Sequence, residues 1–170
     1  MDKDTILERL KELARRLDLA GIGAEMLIFG GAAMSLAYGS RRTTNDIDAV
    51  FSPRMDVMLT ALDISNDMDL PADWLNSAGN IFISDDAPSH DFMDLPGLKL
   101  KIVAPDYLLA MKIKSSRPES KDFDDTKTLV DMLGIRTPEE AEALVRKYFP
   151  KFDLKPTCKQ NLHLAFQHAN

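Results

Sequence analysis

Asp46 and Asp48 stand two residues apart in the stretch Asn45-Asp46-Ile47-Asp48-Ala49-Val50-Phe51. On a strand, residues i and i+2 share a face. The two carboxylates are therefore expected side by side, with Ile47 and Val50 turned into the core. Adjacent carboxylates repel unless a cation lies between them. A hard divalent ion such as Mg²⁺ or Mn²⁺ suits the place, because it takes oxygen ligands and shares its shell with phosphates and water. Two such ions about 4 Å apart activate a hydroxyl and stabilise a leaving pyrophosphate in one in-line displacement.

The residues upstream point to the same chemistry. Ile28-Phe29 ends an apolar run at Gly30-Gly31, and the small residues of Ala32 to Tyr38 follow as an expected helix. Glycines allow a tight turn and close approach of a ligand to the backbone. A helix starting there aims free N–H groups at phosphate. Arg41 and Arg42 in the next loop would neutralise phosphate charge. Each part has a plainer reading: Gly-Gly as an ordinary turn, Asp-Ile-Asp as a solvated strand edge. The order in which they occur together favours a functional site.

These residues need a scaffold, and the chain supplies one. Its 170 residues are 45% hydrophobic, enough for a real core. A helix is expected over 4–19, where Ile6, Leu10, Leu13 and Leu17 recur at helical spacing. Strands are expected over 25–29, 46–51, 80–84 and 98–103. Helices follow from Pro53 to about Leu62, Pro105 to Lys114, Ser120 to Leu133, and Pro156 to Ala169. Thr137-Pro138-Glu139-Glu140 has the form of a capping box opening another helix, to Phe149. Residues 71–76 read as a helical turn. Early strands and later helices give an α+β class, a small mixed sheet flanked by helices. The expected division is a core over 1–104 and a helical part over 105–170, packed as one unit.

Net charge is −6, so the whole chain is no nucleic-acid magnet. The charge is uneven. Met55 to Leu98 holds nine aspartates and no Lys or Arg, whereas Lys99 to Lys121 holds six Lys or Arg against Asp106 and Glu119. Anionic ligands should prefer the second segment. Cys158 is the only cysteine, which rules out an intrachain disulfide and fits a reduced, cytoplasmic home. No apolar run reaches a membrane span, and Met1-Asp2-Lys3-Asp4 does not open a signal peptide. His90, His163 and His168 are scattered. Trp74 reads as a packing anchor rather than a base-stacking platform, and the nine methionines read as core filler.

At Gly30-Gly31 and Arg42-x-Thr44-x-Asp46-Ile47-Asp48 the sequence resembles the nucleotidyltransferase superfamily. It is most similar to the minimal, abortive-infection E toxin-like branch of bacterial toxin–antitoxin systems and to small uncharacterised relatives. Leu108-Leu109-Ala110-Met111-Lys112 and Arg117-Pro118-Glu119-Ser120-Lys121-Asp122-Phe123-Asp124-Asp125 resemble that branch's later block. Asp73-Trp74-Leu75-Asn76 looks like a segment of the uncharacterised relatives. The resemblance implies metal binding by Asp46 and Asp48, with an NTP held by Gly30, Gly31, Arg41, Arg42, Thr44, Arg117, Lys121 and Asp125. It also implies catalytic parts for Lys112 and Asp122. It suggests a toxin that modifies a tRNA 3′ end or a protein, paired with an antitoxin. One departure stands out: the strand 98–103 carries lysines where many members place a third carboxylate, and Asp91 and Asp94 fall in an expected loop. A silent binding module, or an antitoxin-like regulator acting on a partner protein, is the alternative.

Overall fold

Helix α1 (Lys3–Leu19) begins where Asp2 caps it, its carboxylate accepting from the Thr5 amide at 2.9 Å. Ile6, Leu10, Leu13 and Leu17 form its inner stripe and are fully buried, each contributing about 2 kcal/mol. β1 (Ala24–Ile28), α2 (Gly30–Ala37), β2 (Ile47–Ser52) and α3 (Arg54–Asp67) follow. Then come β3 (Leu75–Asn76), β4 (Ser89–Leu95) and β5 (Leu98–Val103). The computed structural model describes residues 1–39, 43–78, 83–84, 86–116 and 122–167. The chain divides into two units, Met1–Val103 and Ala104–Asn170.

The first unit holds one five-stranded sheet of order β3-β2-β1-β5-β4. β1 runs antiparallel to β2 and parallel to β5, β3 lies parallel to β2, and β4 antiparallel to β5. The architecture is α+β with a mixed sheet, as expected of a nucleotidyltransferase-type fold. One face is apolar: Met26, Ile28, Ile47, Ala49, Leu100 and Ile102 are buried. The other carries half-exposed Leu27, Asp48, Val50, Lys99 and Lys101. Val50 was expected inside with Ile47. Two-residue periodicity instead places it on the face of Asp48, and Ala49 takes the inner position.

Two further expectations change. Residues 71–76 do not form a helical turn throughout, because Leu75 and Asn76 pair with Ile47 and Asp48 as the edge strand β3. Asp91 and Asp94 lie in β4 rather than a loop, where they face Lys101 and Lys99 across the ladder. The polar run Ser89-His90-Asp91 has no hydrophobic alternation, because an edge strand needs none to keep its backbone bonds. Most of the strand expected over 80–84 falls outside the described residues. The methionine expectation holds for Met26 and Met34, which are buried, and fails for Met55, Met58, Met68 and Met132, which are exposed.

The second unit is helical: α4 (Pro105–Ser115), α5 (Asp122–Leu133), α6 (Pro138–Tyr148) and α7 (Pro156–Gln167). The cap forms, but Glu140 reaches the amide one residue before the N-cap Thr137 rather than that of the cap itself. Thr137 Oγ1 accepts from the Glu140 amide at 3.2 Å, and Glu140 Oε2 accepts from the Arg136 amide at 2.8 Å. Tyr107 packs edge-on against Tyr148 at 5.0 Å. Burial pushes the Asp106 carboxyl upward, but hydrogen bonds from the Tyr148 hydroxyl, the Tyr107 amide and Lys147 outweigh it and leave its pKa lowered.

Candidate active site

Asp48 is set by three constraints. Its own carbonyl accepts from the Phe29 amide at 3.0 Å, which ends the β1–β2 ladder beside the glycine turn. β3 fixes its other side by pairing Asn76 with it in register. Gly30 fixes the third: with φ +65°, it lies so close that a Cβ there would sit 2.7 Å from Asp48 Oδ2. Left-handed backbone and close approach both require glycine. A Cβ on Gly31 would lie 2.8 Å from Thr44 Oγ1. Gly30 and Gly31 open α2, and no side chain caps that helix end. Its amide dipoles favour negative charge next to it.

Asp46 precedes β2 by one residue, yet its carboxylate shares a donor with that of Asp48. Asn76 Nδ2 donates to Asp46 Oδ2 and to Asp48 Oδ1, each at 3.3 Å. The amide's orientation is determined. Asn76 Oδ1 accepts from the Ala78 backbone N–H at 2.8 Å, a group that can only donate, so the NH₂ end must face the acids. Two carboxylates therefore converge on one point, held apart by a neutral donor. Thr44 completes the approach by donating its hydroxyl to the Asp46 carbonyl at 3.0 Å. Asp46, Asp48, Thr44, Gly30, Gly31 and Asn76 are half-buried or better, within ligand reach.

Among the described residues no group of three or more His, Cys, Asp or Glu is placed to hold a metal ion. The acid pair itself supplies the ligands, since the Asn76 amide turns its NH₂ to the acids and its oxygen away. Two carboxylates are hard oxygen donors and fit Mg²⁺ or Mn²⁺, which are commonly held by one or two protein carboxylates with phosphates and water completing the shell. A cavity of about 580 Å³ lined by Glu25, Ser52, Asp94 and Lys99 belongs to the other end of the sheet. There Glu25 pairs with Ser52, whereas the acids adjoin the Ile28–Ala49 end.

Residues 5–137 match the family of nucleotidyltransferases of unknown function, DUF6036. The chain belongs to this family. No curated protein and no solved structure matches it. In this nucleotidyltransferase-family chain the match spans the whole acid-pair site and continues through α4 and α5.

Lys112 and Asp125 belong to the helical unit and pair with each other at 2.9 Å, their side chains 11% and 8% exposed. Arg41, Arg42, Arg117 and Lys121 lie outside the described residues, and of Asp122 only its place at the start of α5 is described. Trp74 is an anchor: fully buried, it donates its indole N–H to the Ala61 carbonyl at 3.0 Å. Sequence reasoning missed Asn76. Its signal was the Asp73-Trp74-Leu75-Asn76 segment, which shows its meaning only once β3 pairs with β2. Among the described residues no helix is long and apolar enough to cross a membrane.

Proposed function

We propose that the protein is a Mg²⁺- or Mn²⁺-dependent nucleotidyltransferase that moves an NMP from an NTP to a hydroxyl of RNA, such as a tRNA 3′ end, or of a protein. The observation that carries this reading is the convergence of Asp46 and Asp48 beside a glycine turn with no room for a Cβ. The two aspartates would hold the divalent ion, whose positive charge offsets that of the phosphates. The backbone at Gly30-Gly31 receives phosphate oxygens at the uncapped start of α2. Thr44 holds the turn that delivers Asp46. In the transfer, the acceptor oxygen bonds to the α-phosphorus and loses its proton. The bond from the α-phosphorus to the bridging oxygen breaks, and pyrophosphate leaves. Positioning and charge stabilisation supply most of the rate.

The likeness of Arg42-x-Thr44-x-Asp46-Ile47-Asp48 and of the later Lys112–Asp125 block to the abortive-infection E toxin-like branch supports a toxin role with a cognate antitoxin. Asn76 favours a second reading, a silent nucleotide-binding module or an antitoxin-like regulator, because its amide donates to both carboxylates where a cation would otherwise bridge them. Labelled NTP incubated with total RNA and with cell lysate tests the choice. Label entering RNA or protein, and lost in Asp48→Ala, supports the enzyme. Bound nucleotide without transferred label supports the module. Growth arrest on expression separates toxin from antidote.

A further inference from the structure

Helix α3 has two unlike faces. Val57, Ala61, Ile64 and Ser65 are buried and hold it to its unit. The outer face is not polar. Met55, Met58, Leu59 and Leu62 are 67%, 44%, 55% and 44% exposed. Their spacing of i, i+3, i+4 and i+7 makes one continuous stripe. Met68, just past the helix, is 41% exposed. Single exposed apolar residues are ordinary, but a contiguous patch with a polar border marks an interaction site.

One flank of the stripe is acidic, and exposed Arg54 opens the helix on the other. Asp56, Asp63 and Asp67 follow at i, i+7 and i+11 along one side of the stripe, and all are exposed. Asp67 is bound to Arg16 of α1 at 2.7 Å. Asp69 adds a fourth charge beyond the helix end, and no Lys or Arg occurs from Met55 to Leu98. Two copies of this face packed antiparallel would oppose acid to acid, which disfavours that form of self-association. A phosphate backbone would be repelled for the same reason. Methionines suit a surface that must adapt to a helical ligand.

We infer that the outer face of α3 docks an amphipathic helix of another protein, one with apolar residues at i, i+3, i+4 and i+7 and a Lys- or Arg-bearing flank. This inference is independent of nucleotidyl transfer. The test uses the full chain and two synthetic helical peptides with the same leucine pattern, one flanked by Lys and one by Glu, measured by calorimetry at several salt concentrations. The Lys peptide is expected to bind, more weakly as salt rises, and at least tenfold more tightly than the Glu peptide. Leu59→Asp combined with Leu62→Asp lowers that affinity at least tenfold at an unchanged melting temperature, since both side chains lie in water. Asp56→Asn combined with Asp63→Asn keeps the apolar stripe and flattens the salt dependence. Equal binding of the two peptides overturns the inference, as does a Lys-peptide affinity indifferent to both pairs of substitutions. A dimer in sedimentation that Leu59→Asp dissolves overturns it in favour of a second copy.

Discussion

Replacing Gly30 with alanine adds two separable costs. The first is conformational: φ at Gly30 is +65°, and a side chain in left-handed backbone costs about 1–2 kcal/mol. Gly21 provides the control, because it has φ +69° with nothing within 4 Å of a built Cβ. Gly21→Ala therefore reads the backbone cost alone, about 1 kcal/mol once the stiffer unfolded chain is counted. The second cost belongs to Gly30 only. Its Cβ would sit 2.7 Å from Asp48 Oδ2 and 3.5 Å from Asp48 Cγ, so the carboxylate must swing away and surrender its bond to Asn76. A hydrogen bond to a charged group contributes about 1.5–3 kcal/mol, and partial exposure puts this one at the low end. Gly30→Ala should then cost about 3 kcal/mol against about 1 for Gly21→Ala. In a chain of this size that is roughly 6–12 °C against 2–4 °C in melting temperature. Thermal melts with and without Mg²⁺ and NTP supply both readouts. Gly21→Ala should keep the ligand-induced rise in melting temperature and Gly30→Ala should lose it. Equal losses of stability together with a retained rise in Gly30→Ala would refute the close approach as the determinant of the site.

Asn76→Asp would place a third carboxylate against the pair; it should lower stability without divalent ion by about 1 kcal/mol and enlarge the rise in melting temperature on adding Mn²⁺, and an unchanged ion response counts against the amide's place in the site. Lys112→Met leaves the Asp125 carboxylate buried without its ammonium and should cost about 3 kcal/mol or more. Adding Asp125→Leu should recover much of that loss, so purely additive losses in denaturant melts would contradict the pairing. Glu12 is held at about 2, below its ordinary 4.5, by hydrogen bonds from Arg15 and Arg16. Because the folded value is the lower one, its contribution is complete above about pH 4.5 and lost as pH falls toward 2. This network is partly exposed to solvent and contributes about 1 kcal/mol, so Glu12→Gln should flatten the acid side of a stability–pH curve by that amount, read by urea melts between pH 2 and 6.

The acid pair and the glycine turn were legible because their cues are local. Gly30-Gly31 must turn, Asp46 and Asp48 must share a side, and Ile6-Leu10-Leu13-Leu17 must line a helix. β5 and the Thr137 cap were legible for the same reason. β4 was not: its residues carry no alternation, and only the Lys99–Lys101 strand beside it makes Ser89–Leu95 extended. β3 is two residues long and exists because the Ile47 amide donates to the Trp74 carbonyl at 2.8 Å, a contact across 27 positions. Asn76 was hidden with it. The exposed stripe of α3 was hidden differently, since a methionine or leucine in a sequence gives no sign of which face it will occupy.

Trp74 joins two regions that are distant in the sequence. Its ring is tethered to the middle of α3 through Ala61, and its main chain grips Ile47, the residue between the two aspartates. A guest that tilts α3 would act on the strand that aims those acids through these two bonds. Were a guest on α3 to change nucleotide affinity, linkage would require nucleotide to change the guest's affinity by the same factor. A single tryptophan thus ties the middle of α3 to the strand between the acids.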